Sequence, residues 1–193
     1  ISTDLSYSDV SNEKPLLSLW SLSGLKKLQE IVLDGVNIRS DQYPFMLETC
    51  WLAKLRMVYI YWCKVTHVTW LKYAPLLQRL KICGCESMEE VIKEEEAIKD
   101  ENVDSPSLVF SSLVELFLQN LPILKSIHKA PLPFPPLKSV FIFSCPELEK
   151  LPFDSNSAKD KLTLIRGQQN WWDSLTWDDP TAKDKFQSKF KSF

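Results

Sequence analysis

Residues 74–85 read APLLQRLKICGC, and the spacing of their apolar residues is the most informative feature of the chain. Apolar residues occupy its first, fourth, seventh, ninth and twelfth positions. Side chains alternate between the two faces of a strand, so the seventh and ninth positions share one face. The stretch therefore predicts a short strand with one buried face, followed by a turn. The same spacing recurs in residues 25–36, 52–63, 110–121 and 134–145.

Five such segments in one chain are typical of leucine-rich repeats, in which each unit adds one strand and one turn to a curved solenoid. Their ninth positions are 27, 22, 36 and 24 residues apart, and three of these intervals fit the usual period of roughly 20–29 residues. Prolines punctuate the return segments and disfavour helices there. We therefore expect an α/β fold by convention, a horseshoe-shaped leucine-rich-repeat solenoid with a short-stranded parallel sheet on its concave side and a mostly irregular convex side.

One acidic segment explains the single long interval. We expect the solenoid to occupy residues 1–158, with an acidic insertion at 89–104 that holds eight acidic residues and two lysines. This insertion is either a solvated loop or an electrostatic contact with a basic surface of a partner. We expect its part from Glu94 to Asp104 to be exposed and weakly ordered.

The repeat spacing stops after residue 158, and residues 159–193 are expected to form a C-terminal cap and tail. Three tryptophans lie between Gly167 and Asp179. The open end of a solenoid needs an apolar cover, so a cap is favoured over a docking surface for a partner. The last thirteen residues are rich in lysine and predict a short amphipathic helix or a frayed tail. One helical stripe is predicted for Phe186, Phe190 and Phe193.

Composition argues against several classes of function. The net charge of −2 gives no general attraction to nucleic acid or to anionic membranes, and no run of about 18 apolar residues could span a bilayer. The four glycines form no phosphate-binding loop, and the two histidines have no catalytic partners at a familiar spacing. The sequence therefore indicates neither an enzyme nor a cofactor site.

The five cysteines are an odd number, and three of them occupy the twelfth position of a repeat segment. Packing explains them without disulfides. Cys83 and Cys85 are close enough to suggest zinc, but no second pair of ligands lies nearby in the sequence. Reduced thiols and the lack of an Asn-x-Ser/Thr motif favour an intracellular, cytoplasmic protein. Because the chain starts at Ile1, we expect it to be a piece of a longer polypeptide, whose other regions could associate with a membrane.

The outward-facing strand positions form the candidate binding site, because solenoids use their concave surface for binding. Aromatic residues and arginine, which dominate protein interfaces, are frequent there. Glu30, Val32 and Asp34 are predicted to share this face. Alternatively, some of the aromatic side chains only pack sideways along the sheet. The predicted protein-binding residues are Arg56, Tyr59, Tyr61, Trp62, Arg79, Lys81, Glu115, Phe117, Gln119, Lys138, Phe141 and Phe143.

Longer motifs make the pattern specific to one family. They are VTWL at 68–71, ICGCESMEEVI at 82–92, LPILKSI at 121–127, CPELEKLP at 145–152 and WWDSLTW at 171–177. With these motifs the chain resembles plant disease-resistance proteins of the coiled-coil, nucleotide-binding, leucine-rich-repeat (NBS-LRR) type. The resemblance covers most of residues 20–190.

This resemblance implies the recognition part of an intracellular immune receptor. In the family, the repeat domain senses a pathogen effector, or a host protein that the effector modifies, and restrains a nucleotide-binding switch domain that exchanges ADP for ATP. That switch domain is not in this sequence, so ADP and ATP are implied only for it and no cofactor for these residues. The implied partners are proteins and not nucleic acid. The alternative function is an adaptor or scaffold, such as the substrate receptor of a ubiquitin ligase.

Overall fold

The computed structural model describes residues 2–6, 14–22, 24–38, 49–93, 109–158 and 161–193. Its strands are β1 (Ser2–Ser6), β2 (Leu16–Leu17), β3 (Glu30–Asp34), β4 (Asn37–Ile38), β5 (Met57–Tyr61), β6 (Arg79–Cys83), β7 (Glu115–Gln119), β8 (Ser139–Phe143), β9 (Leu164–Gly167) and β10 (Phe190–Ser192). Eight of them form one parallel sheet in the order β1-β3-β5-β6-β7-β8-β9-β10, and β2 pairs with β4. The five strands predicted from the repeat spacing are β3 and β5 to β8. The leucine-rich-repeat solenoid is therefore confirmed.

The return segments between β3 and β9 contain only short helical turns in the described residues. These are the 3₁₀ helices Thr49–Lys54 and Thr69–Tyr73, and a third 3₁₀ helix, Leu19–Leu22, precedes β3. The chain has two α-helices in its described part, α1 (Gln169–Ser174) and α2 (Pro180–Gln187). None of the described helices combines the length and the apolar character needed to cross a bilayer.

The burial pattern confirms the predicted strand register. Ile82 is fully buried, whereas its neighbour Lys81 is partly exposed. The same alternation of buried and half-exposed residues repeats along β3, β5, β7 and β8. Each inward residue pairs with an inward residue of the next strand, as Ile60 does with Ile82 and Ile82 with Leu118. The core is therefore a stack of aliphatic layers, one per repeat.

A left-handed residue follows each of the central strands and turns the chain into the core. These residues are Gly35, Trp62, Gly84, Asn120 and Ser144, with φ between 51° and 68°. The amide of each of the first four donates to the last carbonyl of the next strand, for example Gly84 N to Gln119 O at 2.9 Å. The backbone thus continues the hydrogen-bond ladder past the strand ends. This continuation satisfies the backbone polar groups at the strand ends. The residues at the next position have apolar side chains, which could not satisfy them.

Phenylalanine rings link the last repeats to the C-terminal segment. Phe110 stacks on Phe134 with 6.1 Å between ring centroids, and Phe134 meets Phe153 edge-on at 5.5 Å. Phe153 in turn contacts Phe186 of α2 at 5.0 Å. Because all four rings are buried, this line of contacts anchors α2 to the repeats.

The tryptophans of the C-terminal segment pack inward. Trp171 and Trp172 are buried, and Trp171 Nε1 donates to Leu148 O at 2.9 Å. Trp172 stacks on Phe190 at 4.4 Å with 9° between the rings, and its Nε1 donates to Gln187 Oε1 at 3.0 Å. These contacts cover the end of the apolar core.

The C-terminal residues differ from the sequence-based expectation in two respects. The parallel sheet continues beyond residue 158, because β9 pairs with β8 and β10 pairs with β9. The single helical stripe predicted for three phenylalanines is wrong. Phe186 is helical, but α2 ends at Gln187, Phe190 begins β10 and Phe193 follows that strand. Pairing with β9 holds this segment extended, which overrides its helical spacing.

Most of the acidic insertion lies outside the described residues, which resume at residue 109 after residue 93. The expectation that Glu94 to Asp104 is exposed therefore falls outside them as well. At the start of the insertion, Val91 and Ile92 are buried and Glu90 forms a parallel bridge with Ser126. The first residues of the predicted insertion thus belong to the folded repeats.

Candidate functional site

Outward-facing strand residues form three rows across the sheet. The middle one, here called the central row, follows from the register of successive strand pairs. The residues beside it at the carboxyl ends of β5 to β8 include Tyr61, Cys83, Gln119 and Phe143. At the amino ends lie Met57, Arg79, Glu115 and Ser139. The central row consists of Asp4, Val32, Tyr59, Lys81, Phe117, Phe141, Arg166 and Lys191.

Nine of the twelve predicted binding residues occupy outward positions of these rows. They are Tyr59, Tyr61, Arg79, Lys81, Glu115, Phe117, Gln119, Phe141 and Phe143. Glu30, Val32 and Asp34 lie in the same way on β3. The expected alternation therefore places most of the candidate residues on one face, as the parallel register requires.

Arg56, Lys138 and Trp62 lie outside the outward strand positions, and their role in binding stays a prediction. Arg56 and Lys138 each precede a strand, and Met57 and Ser139 hold the outward positions instead. The carbonyl of Arg56 accepts from Arg79 N at 3.0 Å, which fixes this residue at the strand entry. Trp62 follows β5 and belongs to the turn at its carboxyl end.

Trp62 forms one wall of an open cavity of about 480 Å³ beside the strand ends. Its side chain is 53% exposed, although its backbone has the left-handed φ of 53°. The Lys14 ammonium donates to the carbonyl oxygen of Trp62. Lys64 and Glu86 are among the other residues that line the cavity. A large exposed side chain in a strained backbone conformation marks this edge as a second surface feature, separate from the central row.

An aromatic cluster occupies the C-terminal half of the concave face. Phe117 lies 5.7 Å from both Phe141 and Phe143, measured between ring centroids. Phe143 also contacts Phe193 at 4.0 Å. We call Phe117, Phe141, Phe143 and Phe193 the aromatic cluster. The first three rings are partly exposed and pack sideways on one another, so they present a continuous apolar surface rather than isolated anchors.

Two cations border the aromatic cluster. Lys81 Nζ lies 4.6 Å from the ring centroid of Phe117 and 5.5 Å from that of Tyr61. The Arg166 guanidinium lies 4.5 Å from the ring centroid of Phe193. Cation–π contacts of this kind hold a charged group over an apolar surface. The two charges therefore have defined positions at the two ends of the cluster.

Charge is divided along the sheet. The outward charged residues of β1 and β3 are acidic, namely Asp4, Glu30 and Asp34. From β6 to β10 they are Arg79, Lys81, Arg166 and Lys191, with Glu115 as the single acid. The face thus has an acidic N-terminal end and a basic C-terminal half.

Partial burial raises the pKa of the Tyr61 phenol, and the neighbouring Cys83, Tyr59 and Asp34 add to this effect.

Sequence reasoning missed several contributors to this face. Met57, Arg166, Lys191 and Phe193 were not predicted as binding residues. A signal for β9 exists, because Leu162 and Ile165 repeat the spacing of the fourth and seventh positions, and Ile165 pairs with Val140. Lys191 and Phe193 carry no such signal, since their place depends on β10 folding back beside β9.

Four of the five cysteines, those whose burial the structure describes, offer little nucleophilic chemistry. Burial raises the pKa of Cys85 to about 12 and the pKa values of Cys63 and Cys145 to about 11. Burial also raises the pKa of Cys83. Such thiols remain protonated at neutral pH and react slowly. Within the described ranges, no three His, Cys, Asp or Glu residues are grouped as a metal site.

Comparison with known proteins shows which family the chain resembles. Residues 27–165 match the family described as "Plant disease resistance protein RPS2-like, leucine-rich repeats". The chain is 36% identical over 161 residues to disease resistance protein SUMM2 of Arabidopsis thaliana, which covers 82% of this chain and 17% of that protein. It is 34% identical over 146 residues to probable disease resistance protein At5g63020 of the same plant, which covers 75% and 16%.

A third relative, disease resistance protein RPS5 of Arabidopsis thaliana, is 30% identical over 181 residues, with 89% of this chain and 20% of that protein covered. The chain thus spans a fifth or less of the length of these three relatives. No solved structure matches. The match to the family over most of the repeats agrees with the parallel sheet and with the rows of outward residues. This chain therefore belongs to the RPS2-like leucine-rich-repeat family of plant disease-resistance proteins.

Proposed function

We propose that this chain is a protein-recognition region of an intracellular plant immune receptor. It senses a pathogen effector, or a host protein modified by one, through the concave face of its sheet. The observation that supports this function best is the aromatic cluster bordered by Lys81 and Arg166. Partly exposed aromatic rings next to fixed cations supply both the apolar area and the polar specificity of a typical interface.

The same face restrains a nucleotide-binding switch domain before the pathogen arrives. The relatives of this chain extend far beyond the matched repeats and are disease resistance proteins by name. In this proposal the nucleotide chemistry belongs to the switch domain, and the repeats contribute only contacts. One surface then serves two partners in turn, so that an effector or modified host protein competes with the switch domain for the repeats.

Alanine variants of the concave aromatic residues test recognition. Proximity labelling in challenged leaf tissue would select candidate partners for the chain, and each purified candidate would then be titrated against the variants. Tyr59→Ala, Tyr61→Ala and Phe141→Ala should each weaken binding by about 2 kcal/mol where the ring is an interface hot spot. Leu76→Ala and Ile123→Ala remove exposed apolar side chains of the return segments and serve as matched controls.

A receptor chimera tests restraint. The matching repeats of SUMM2 would be replaced by this chain, and cell death in leaf tissue would be scored without any pathogen. The chimera should be silent, and the three concave alanine variants should cause cell death while the two control variants do not. If the folded concave variants alter neither partner binding nor cell death, the concave face is not the recognition surface and the proposed function is wrong.

A further inference from the structure

The basic half of the concave face carries information about the chemistry of its partner. Lys81 and Arg166 lie in the central row with Phe117 and Phe141 between them. In the described part of the chain, neither cation has a carboxylate within 4.0 Å, unlike Lys150, which pairs with Asp178 at 2.6 Å. The aromatic rings beneath the two cations orient them without neutralising them. Both charges are therefore available to a bound molecule.

Strand geometry sets the distance between the two cations. Lys81 is on β6 and Arg166 is on β9, three strand steps away in the sheet. Adjacent strands are about 4.8 Å apart, so the two backbone positions are about 14 Å apart. An extended peptide that crosses the strands advances about 3.3 Å per residue and covers this distance in about four residues. Residues i, i+2 and i+4 of such a peptide all point to the same side.

This geometry defines a pattern of partner side chains. A carboxylate at i faces Lys81, an apolar side chain at i+2 rests on Phe117 and Phe141, and a carboxylate at i+4 faces Arg166. Lys191 continues the positive charge beyond Arg166. Asp4, Glu30 and Asp34 repel an acidic segment from the other end of the sheet. Glu115 lies beside the central row at the amino ends of the strands. Its charge repels an acidic peptide, so a peptide on the central row would lie towards the carboxyl ends of the strands.

We propose that the central row from β6 to β9 binds an extended acidic segment of a partner protein with the pattern acid-x-apolar-x-acid. This inference rests on the proposed function, because it names the chemistry that the concave face recognises. It commits to a peptide rather than to a nucleic acid, whose phosphates would also attract the cations. The restraining contact and the effector contact then share one requirement, an acidic and apolar segment on each partner.

Fluorescence anisotropy of the whole chain with labelled nonapeptides tests the pattern. The probe is GSEAFAESG, with its glutamates four residues apart and a phenylalanine midway. A second peptide, GSAEFEASG, has the same composition with its glutamates only two residues apart. A third, GSQAFAQSG, lacks the charges. The first peptide should bind at least about fivefold more tightly than either of the others, because only it reaches both cations.

Charge variants of the chain assign the contacts. Lys81→Gln and Arg166→Gln should each weaken binding of the first peptide about fivefold or more, whereas Lys129→Gln, which removes an exposed charge from a return segment, should leave it unchanged. The double charge reversal Lys81→Glu with Arg166→Glu should instead bind GSKAFAKSG. This reversal keeps the test valid even where a neutral variant has little effect. Circular dichroism would show that each variant is folded.

Several outcomes would overturn the inference. These are equal binding of the two glutamate peptides, an equal loss with Lys129→Gln, or no binding of the first peptide up to about 1 mM, where the free energy of association falls to about −4 kcal/mol. Displacement of the peptide by equimolar single-stranded DNA would assign the cations to phosphate recognition instead. If Tyr59→Ala and Phe141→Ala abolish binding of a purified leaf partner but Lys81→Gln and Arg166→Gln do not, the proposed function stands and only the acidic pattern is wrong.

Discussion

The indole of Trp62 occupies the place that a side chain at Gly84 would need. A Cβ built on Gly84 would lie 2.2 Å from Cε3 of Trp62, far closer than atoms in contact. Both residues have a left-handed backbone and hold the same position in consecutive repeats. The glycine therefore meets two demands at once, since it adopts φ of +68° without strain and leaves room for the ring.

Gly84→Ala should lower the free energy of unfolding by about 1–3 kcal/mol, because alanine is strained at positive φ and its methyl group meets the indole. Urea unfolding followed by circular dichroism would measure this change. Trp62→Ala in the Gly84→Ala background should recover part of the loss by removing the clash. Gly24→Ala is the control, since Gly24 has no atom near a built Cβ, and it should change stability by less than about 0.5 kcal/mol. A Gly84→Ala protein as stable as the parent would contradict this account.

Ile82→Ala should cost about 2–5 kcal/mol, because the side chain is fully buried between Ile60 and Leu118 in adjacent layers. Thermal or urea unfolding would show a lower midpoint. Lys81→Ala changes the neighbouring residue on the opposite face and should have a much smaller effect on stability. A larger loss of stability with Lys81→Ala than with Ile82→Ala would mean that the strand register is shifted by one residue.

Trp172→Ala should destabilise the C-terminal end by about 3–5 kcal/mol, since it removes a buried ring stacked on Phe190 and leaves Gln187 without its donor. In this variant, hydrogen exchange of the β9 and β10 amides should be faster than that of the β5 and β6 amides. Phe193→Ala, which removes a ring that is 57% exposed, provides the comparison and should scarcely alter stability. Uniform exchange throughout the sheet would show that the C-terminal segment is not a distinct cover for the core.

Alkylation of the thiols should depend on unfolding. Burial favours the protonated form of Cys63, Cys85 and Cys145, so iodoacetamide at pH 8 should label them slowly in the folded chain and fully in urea. Mass spectrometry of the cysteine peptides would measure the extent. Rapid labelling of these three cysteines in the folded protein would contradict their burial.

The same thiols predict the direction of the pH dependence. Their pKa values rise from an ordinary 9.0 to about 11 or 12 in the fold. The stabilisation by the neutral thiols is therefore complete below pH 9 and is lost as the pH rises through the raised values. The free energy of unfolding should fall between pH 9 and pH 11. Cys145→Ala should make this fall with pH less steep than in the parent. An unchanged slope in this variant would show that other groups control the alkaline transition.

The repeat segments could be predicted from sequence because their information is local. The apolar spacing of residues 74–85 identifies an inward Ile82 and an outward Lys81, and both predictions are confirmed. Alternation of side chains along a strand requires nothing from distant parts of the chain. The same argument correctly places Tyr59, Phe117 and Phe141 on one face.

The sequence is less informative about where strands begin and end. Arg56 and Lys138 differ from outward residues only by one position, and the apolar spacing alone does not determine where the pairing with the next strand starts. Trp62 follows the last residue of its strand, and its left-handed turn carries the ring to the edge of the sheet. Hydrogen bonds between repeats, such as Trp62 N to Cys83 O, determine these boundaries.

The sequence alone predicts the repeat, the buried face of each central strand and the family resemblance, because these follow from a short period and from motifs of neighbouring residues. The pairing of β10 with β9, which brings Lys191 and Phe193 to the concave face, depends on the tertiary structure. Phe190 has helical spacing from Phe186 but becomes extended, because β9 is a parallel partner that satisfies its backbone groups. No local pattern reports a partner that lies more than twenty residues away in the chain.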